Sequence, residues 1–159
     1  MIEADEMMGR IGQGMQLGQQ GEREAARLVF AEIWNDIGGE SGDPFHRCAL
    51  AHSMADVQAD VREELAWDLR ALEAADLITD ERAARAGVAG PVAAFYPSLH
   101  LNVGECYRKL GDLDRALDHL RQGQAATEAL GNDGYGQMIR NGLDRLAERL
   151  TSAGHQDGG

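Results

Sequence analysis

The densest run of chemically versatile side chains in the sequence is His46, Cys48, His52, Asp56 and Asp60. Cys48, His52, Asp56 and Asp60 recur at every fourth residue, which on one continuous helix would place them on one face. Thiolate, imidazole and carboxylate in a single stripe form a ligand set for zinc or another divalent ion. A second chemistry would use Cys48 or Cys106 as a nucleophile with a histidine as base. Neither cysteine stands at a predicted helix N-terminus or in an electropositive setting that would lower its pKa, and Cys106 is flanked by Glu105 and Tyr107. Helices that contain Ala, Asp and His also produce such spacings by chance. Core packing is therefore the reading adopted for this run. Metal binding or catalysis by His46, Cys48, His52 and Asp56 stands as the alternative, and no cofactor is called for.

Other candidate chemistry has a plainer explanation. Glu63 with Glu64 and Asp112 with Asp114 lie at predicted helix starts, where acids complement the positive end of the helix dipole. The glycines of residues 8–21 suggest a phosphate-binding loop, but no strand precedes them and no Lys-Ser/Thr follows. A chain with 27 acidic and 15 basic residues lacks the basic stripe that nucleic acid requires, so nucleic acid is excluded as a direct partner. The two cysteines lack C-x-x-C spacing and are expected to remain reduced thiols. No window has signal-peptide or transmembrane character, so a soluble cytoplasmic protein without membrane contact is expected.

The elements that would carry these residues are helical. Apolar residues are 43% of the chain but aromatics only 5%, which suits close helix packing, and no stretch alternates as a strand does. Met7, Met8, Ile11, Met15 and Leu17 mark a first helix, weakened by Gly9, Gly12, Gly14 and Gly18. Ala26, Val29, Phe30, Ile33 and Ile37 make a clear stripe over residues 22–37. Asp43-Pro44 opens a third helix near residues 44–59, and a fourth covers 61–76. Thr79 can cap a short helix before Gly87, Gly90 and Pro91 interrupt. A hairpin over residues 99–126 and a final amphipathic helix over 137–151 follow. About seven helices are expected in a single domain, residues 1–151, with a flexible tail at 152–159.

The hairpin carries the most specific pattern: Val103-Gly104, Tyr107, Gly111-Asp112, Ala116, Leu120 and Gly123. In order and spacing it resembles the tetratricopeptide (TPR) repeat, with the best match over residues 98–130 and weaker ones over 7–37 and 45–76. His100 stands where the family often has Trp, and Glu128 where it often has Pro. In the first match Gly14, Leu17 and Gly21 correspond to Gly104, Tyr107 and Gly111, with Arg10 and Gln13 at positions of apolar type. In the other, His52 corresponds to Gly104 and Glu64 to Ala116. The resemblance implies an all-α, right-handed superhelical array of antiparallel hairpins with a C-terminal capping helix. It also implies a non-enzymatic module that binds a peptide or protein segment in a concave groove. That groove would include His46, Ser53, Asp56, Asn102, Glu105, Arg108 and Lys109. Asn102 alone matches the family's carboxylate clamp, with Ala49 and Ser53 at its other positions, so chaperone-tail binding is not expected. From the acid at Asp56 and the chain's 27 acidic and 15 basic residues, the expected partner is a segment that offers Arg or Lys to Asp56 and an acid or amide to Arg108 and Lys109. Self-association as a homodimer, through an apolar edge of Met7, Met8, Ile11 and Met15, is a third reading.

Overall fold

The computed structural model describes the backbone of residues 2–157 and the side chains of residues 6–154. Among these residues it is 81% helical with no strand. The chain divides into two compact units, Met1–Val92 and Ala93–Gly159. The division follows the Gly87, Gly90 and Pro91 interruption, at which both glycines adopt positive φ (87° and 95°). No described helix is long and apolar enough to cross a membrane.

The first unit holds α1 (Ile2–Gln19), α2 (Arg23–Asp36), α3 (Pro44–Asp56), α4 (Val61–Ala75) and α5 (Asp80–Arg85). Between α1 and α2, Gly21 takes φ 86°, a conformation that favours glycine. The Glu22 amide reaches back to the Leu17 carbonyl (3.0 Å) and the Gly21 amide to that of Gly18 (3.1 Å), closing α1. Ile11, Ala26, Phe30 and Ile33 then pack with Leu50 and Met54 of α3 and with Val57, which follows it. A Cβ at Gly14 would strike the Phe30 ring, so glycine there sets how closely α1 and α2 can approach. Arg10, at a position of apolar type, is only half-buried and pairs with Asp36 at 2.8 Å, while Gln13 faces solvent.

The start of α3 is tied down more heavily. Asp43 accepts a hydrogen bond from the His46 amide (3.1 Å), and Pro44 occupies the first turn. The same carboxylate takes the Arg82 guanidinium two-pronged, through Nε (3.0 Å) and Nη2 (2.9 Å), which ties α5 to α3. At the other end Arg27 Nη1 donates to the Val57 carbonyl at 2.7 Å, placing a cation at the negative pole of α3. Trp34 of α2 meets Trp67 of α4 edge-on at 5.3 Å, and the Arg70 guanidinium lies 4.3 Å above Trp67.

The second unit holds α6 (Tyr96–Lys109), α7 (Leu113–Ala125) and α8 (Gly134–Asp157). Its first turn repeats the α1–α2 turn: Gly111 has φ 84°, and the Asp112 amide donates to the Tyr107 carbonyl at 2.9 Å. Here the acid also caps the next helix, accepting from the Arg115 amide at 3.2 Å. Leu120, Leu130, Ile139, Leu143 and Leu146 form a core onto which α8 closes. A Cβ on Gly104 would lie 2.9 Å from Leu146 Cδ2 and 3.4 Å from the Ala116 carbonyl, and one on Gly142 2.6 Å from Leu101. Three helices thus meet where side chains are missing. The last helix starts earlier than expected because Asp133 accepts from the Gly136 amide at 2.9 Å. It also continues past Thr151 to Asp157, so residues 152–157 are helix rather than tail, and 158–159 lie outside the described residues.

These contacts separate two kinds of glycine. Gly104→Leu should destabilise by about 1–3 kcal/mol through overpacking. Gly12, with no neighbouring atom within 4 Å of its missing Cβ, should instead gain about 1 kcal/mol on substitution by Ala. Urea denaturation midpoints of the two variants, moving in opposite directions, check this.

Candidate partner-binding cleft

In the first unit the ends of α1 and α3 and the start of α2 enclose a cleft of ≈ 220 Å³. Met15, Gly18 and Gln19 come from α1, Arg23 from α2, and Ser53, Asp56 and Val57 from the last turns of α3 and its cap. Gly18 sets the depth of the cleft: a Cβ there would lie 2.9 Å from Val57 Cγ1, so α1 can lie directly on α3. Met15, 46% exposed, supplies an apolar wall. Opposite charges sit at the rim. Arg23 has no hydrogen-bond or ion-pair partner among the described residues, and Asp56 accepts no hydrogen bond from them. Burial raises the Asp56 carboxyl above its ordinary value, opposed by the nearby His52. The outer side of this carboxylate is exposed and can meet an incoming ammonium or guanidinium group.

The positions expected to line a groove are distributed over both units. On α3, Asp56 and Ser53 both reach the cleft, although the Ser53 hydroxyl is committed to the Ala49 carbonyl at 2.9 Å. His46 is half-buried beside the Asp43 carboxylate, 3.8 Å away, and lies apart from the cleft lining. On α6, Asn102 is half-buried and Lys109 exposed. Glu105 does not stand free to read a partner. Its carboxylate takes Arg108 of the same helix at 3.0 Å and, from α8, Arg149 at 3.0 Å, so Glu105 also ties the last helix to α6.

The run from His46 to Asp60 is not assembled as one face. The helix ends at Asp56, so Asp60 leaves the stripe and caps α4 through the Arg62 amide (3.0 Å). Cys48 is buried, His52 half-buried and Asp56 exposed, so the run passes from core to surface. Among the described residues, no three of His46, Cys48, His52 and Asp56 bring ligand atoms within 4.8 Å of one another. Burial pushes the Cys48 thiol up to about 12, which keeps it protonated and a poor nucleophile or ligand at neutral pH. The apolar edge proposed for self-association is mostly consumed internally: Ile11 is buried, Met7 and Met8 pack against the core, and only Met15 stays exposed.

Met15, Gly18, Gln19 and Arg23 were not among the expected site residues. A usable signal existed for the first three. The offset that equates Gly14 with Gly104 also equates Met15, Gly18 and Gln19 with Glu105, Arg108 and Lys109. The α3 offset equates Ser53, Asp56 and Val57 with the same three residues. Comparisons with protein-family models, with curated proteins and with solved structures find no match.

Both cysteines are buried. In the native protein neither thiol should react with Ellman's reagent at pH 8 on the timescale of minutes, and both should react fully in denaturant. Rapid labelling of Cys48 in the folded state would contradict the packing described for α3.

Proposed function

We propose that the chain is a non-enzymatic interaction module of TPR-like helical hairpins that binds a protein segment in the α1–α2–α3 cleft. The observation that carries this reading is a coincidence of register. Three of the four α6 groove positions, Glu105, Arg108 and Lys109, correspond to Met15, Gly18 and Gln19 on α1 and to Ser53, Asp56 and Val57 at the end of α3, whereas the counterparts of Asn102, Gly12 and Leu50, lie outside the cleft. The six former counterparts, with Arg23, are the residues that line the cleft. The matching turns at Gly21 and Gly111, and the glycine contacts at Gly14 and Gly104, support the same register. The right-handed superhelical array with α8 as its cap is part of the proposal.

The cleft suits an extended or helical segment whose Arg or Lys meets Asp56 while a carboxylate or amide oxygen meets Arg23. Gly18 gives backbone access and Met15 an adaptable apolar contact. Ion pairs this exposed contribute only about 0–1 kcal/mol each, so they set orientation and on-rate more than affinity.

A random-peptide array probed with the purified protein tests the reading. Peptides that carry Arg or Lys should be enriched over those that carry Glu, and binding should weaken as salt rises. Asp56→Lys should reduce binding of the enriched peptides by about fivefold or more, with an unchanged helical circular dichroism spectrum. Enrichment without any basic preference, or equal binding by Asp56→Lys, would remove the cleft from consideration.

A further inference from the structure

The α6–α7 interface contains a pair of histidines that the binding reading does not use. His100 Nδ1 and His119 Nδ1 lie 3.0 Å apart, with His100 only 7% exposed. The pair is the centre of a row of four rings. Tyr96 stacks on His100 (6.0 Å), His100 lies 5.2 Å from His119, and His119 stacks on Tyr107 (5.6 Å). Each histidine faces a glycine on the other helix. A Cβ at Gly104 would lie 3.7 Å from His119 Cβ, and one at Gly123 would lie 3.4 Å from His100 Cβ. From α8, Leu146 packs on Gly104 and Leu143 on Gly123. The histidine pair, both glycines and the contact face of α8 therefore form one packed layer.

We infer that the His100–His119 pair is a proton-operated latch on the second unit, closed while the two rings share at most one extra proton and opened when both are charged. An N–H···N bond needs one donor and one acceptor. Two neutral rings in opposite tautomers satisfy it, and one imidazolium donating to a neutral ring satisfies it more strongly. Two imidazoliums have no acceptor between them and place like charges about 3 Å apart in a partly dry site. Around His119 the charged groups on α6, α7 and α8 offer limited relief. On α7 Asp118 favours the charged form of His119, but burial outweighs it and lowers the His119 pKa. Arg115 lies over Tyr107 at 5.9 Å, which adds a positive charge at the end of the row. On α6, Glu105 is occupied by Arg108 and by Arg149 of α8. The α8 side chains that pack on Gly104 and Gly123 are leucines. Because the folded form resists the second proton, the stability it supplies is complete above the ordinary histidine pKa of about 6.5 and is lost as pH falls through the folded value.

The test uses the full chain and histidine-ring and amide NMR from pH 8 to 4.5. The two rings should titrate as a coupled pair, the second proton entering well below the usual histidine midpoint. Amide protection at Gly104 and Gly123, corrected for intrinsic exchange, should fall with that second step by up to about tenfold per pH unit. Trp34 and Trp67, both in the first unit, should keep their emission over the same range. In His119→Gln, whose amide can donate or accept but does not titrate, protection should be flat between pH 7 and 5. If that variant does not fold, the wild-type titration decides alone. Independent ring midpoints near 6.5, or wild-type protection unchanged from pH 7 to 5, would overturn the latch. So would an identical acid loss in His119→Gln.

Discussion

The closeness with which one helix can lie on the next governs the rest of the molecule. At Gly14 the opposing atoms belong to Phe30, at Gly104 to Leu146 and the Ala116 carbonyl, and at Gly142 to Leu101. In each case a side chain from the other helix fills the space a Cβ would have taken. Glycine costs an isolated helix about 1 kcal/mol relative to alanine, and these helices carry many. The cost is offset because close approach buries Phe30, Leu143 and Leu146 almost completely. The same device shapes both sites of interest: Gly18 admits α1 onto α3 at the cleft, and Gly104 and Gly123 make room for the histidine pair.

Charge is used locally. Asp43, Asp60, Asp112 and Asp133 all accept hydrogen bonds from backbone amides near helix starts. Asp43 and Asp112 additionally hold arginines, Arg82 and Arg115. Burial pushes the Asp43 carboxyl up, but the Arg82 and His46 hydrogen bonds and charges outweigh it and hold it below its usual value. Its contribution is therefore present above the ordinary carboxylate range and lost only as pH falls through the depressed value. That window lies below the one expected for His119. The excess of acids is thus partly a capping inventory, and Asp56 differs from its neighbours in having no such employment.

Local signals were readable from sequence because they are enforced within one turn of chain. Gly111-Asp112 predicted a left-handed terminator followed by a cap, and both are found. Asp43-Pro44 and Thr79 were recognisable as helix starts for the same reason. What escaped depends on partners distant in sequence. Arg10 pairs with Asp36, Asp43 is clamped by a residue 39 positions away, and His100 meets His119 across a turn. The stripe from Cys48 to Asp60, read as packing with its helix ending near residue 59, is shorter than its spacing suggests, since α3 stops at Asp56. Of the residues that line the cleft, Ser53 and Asp56 were named from sequence, while Arg23 lies outside the repeat register and carries no local signature.

The most direct test of the cleft is a residue-resolved titration. ¹⁵N-labelled protein titrated with an arginine-containing peptide that binds should show amide shifts concentrated at Gly18, Gln19, Arg23, Ser53, Asp56 and Val57. Residues of the second unit should move little. Shifts centred on α6, α7 or α8, with the amides of those six residues unmoved, would contradict the assignment of binding to the first unit.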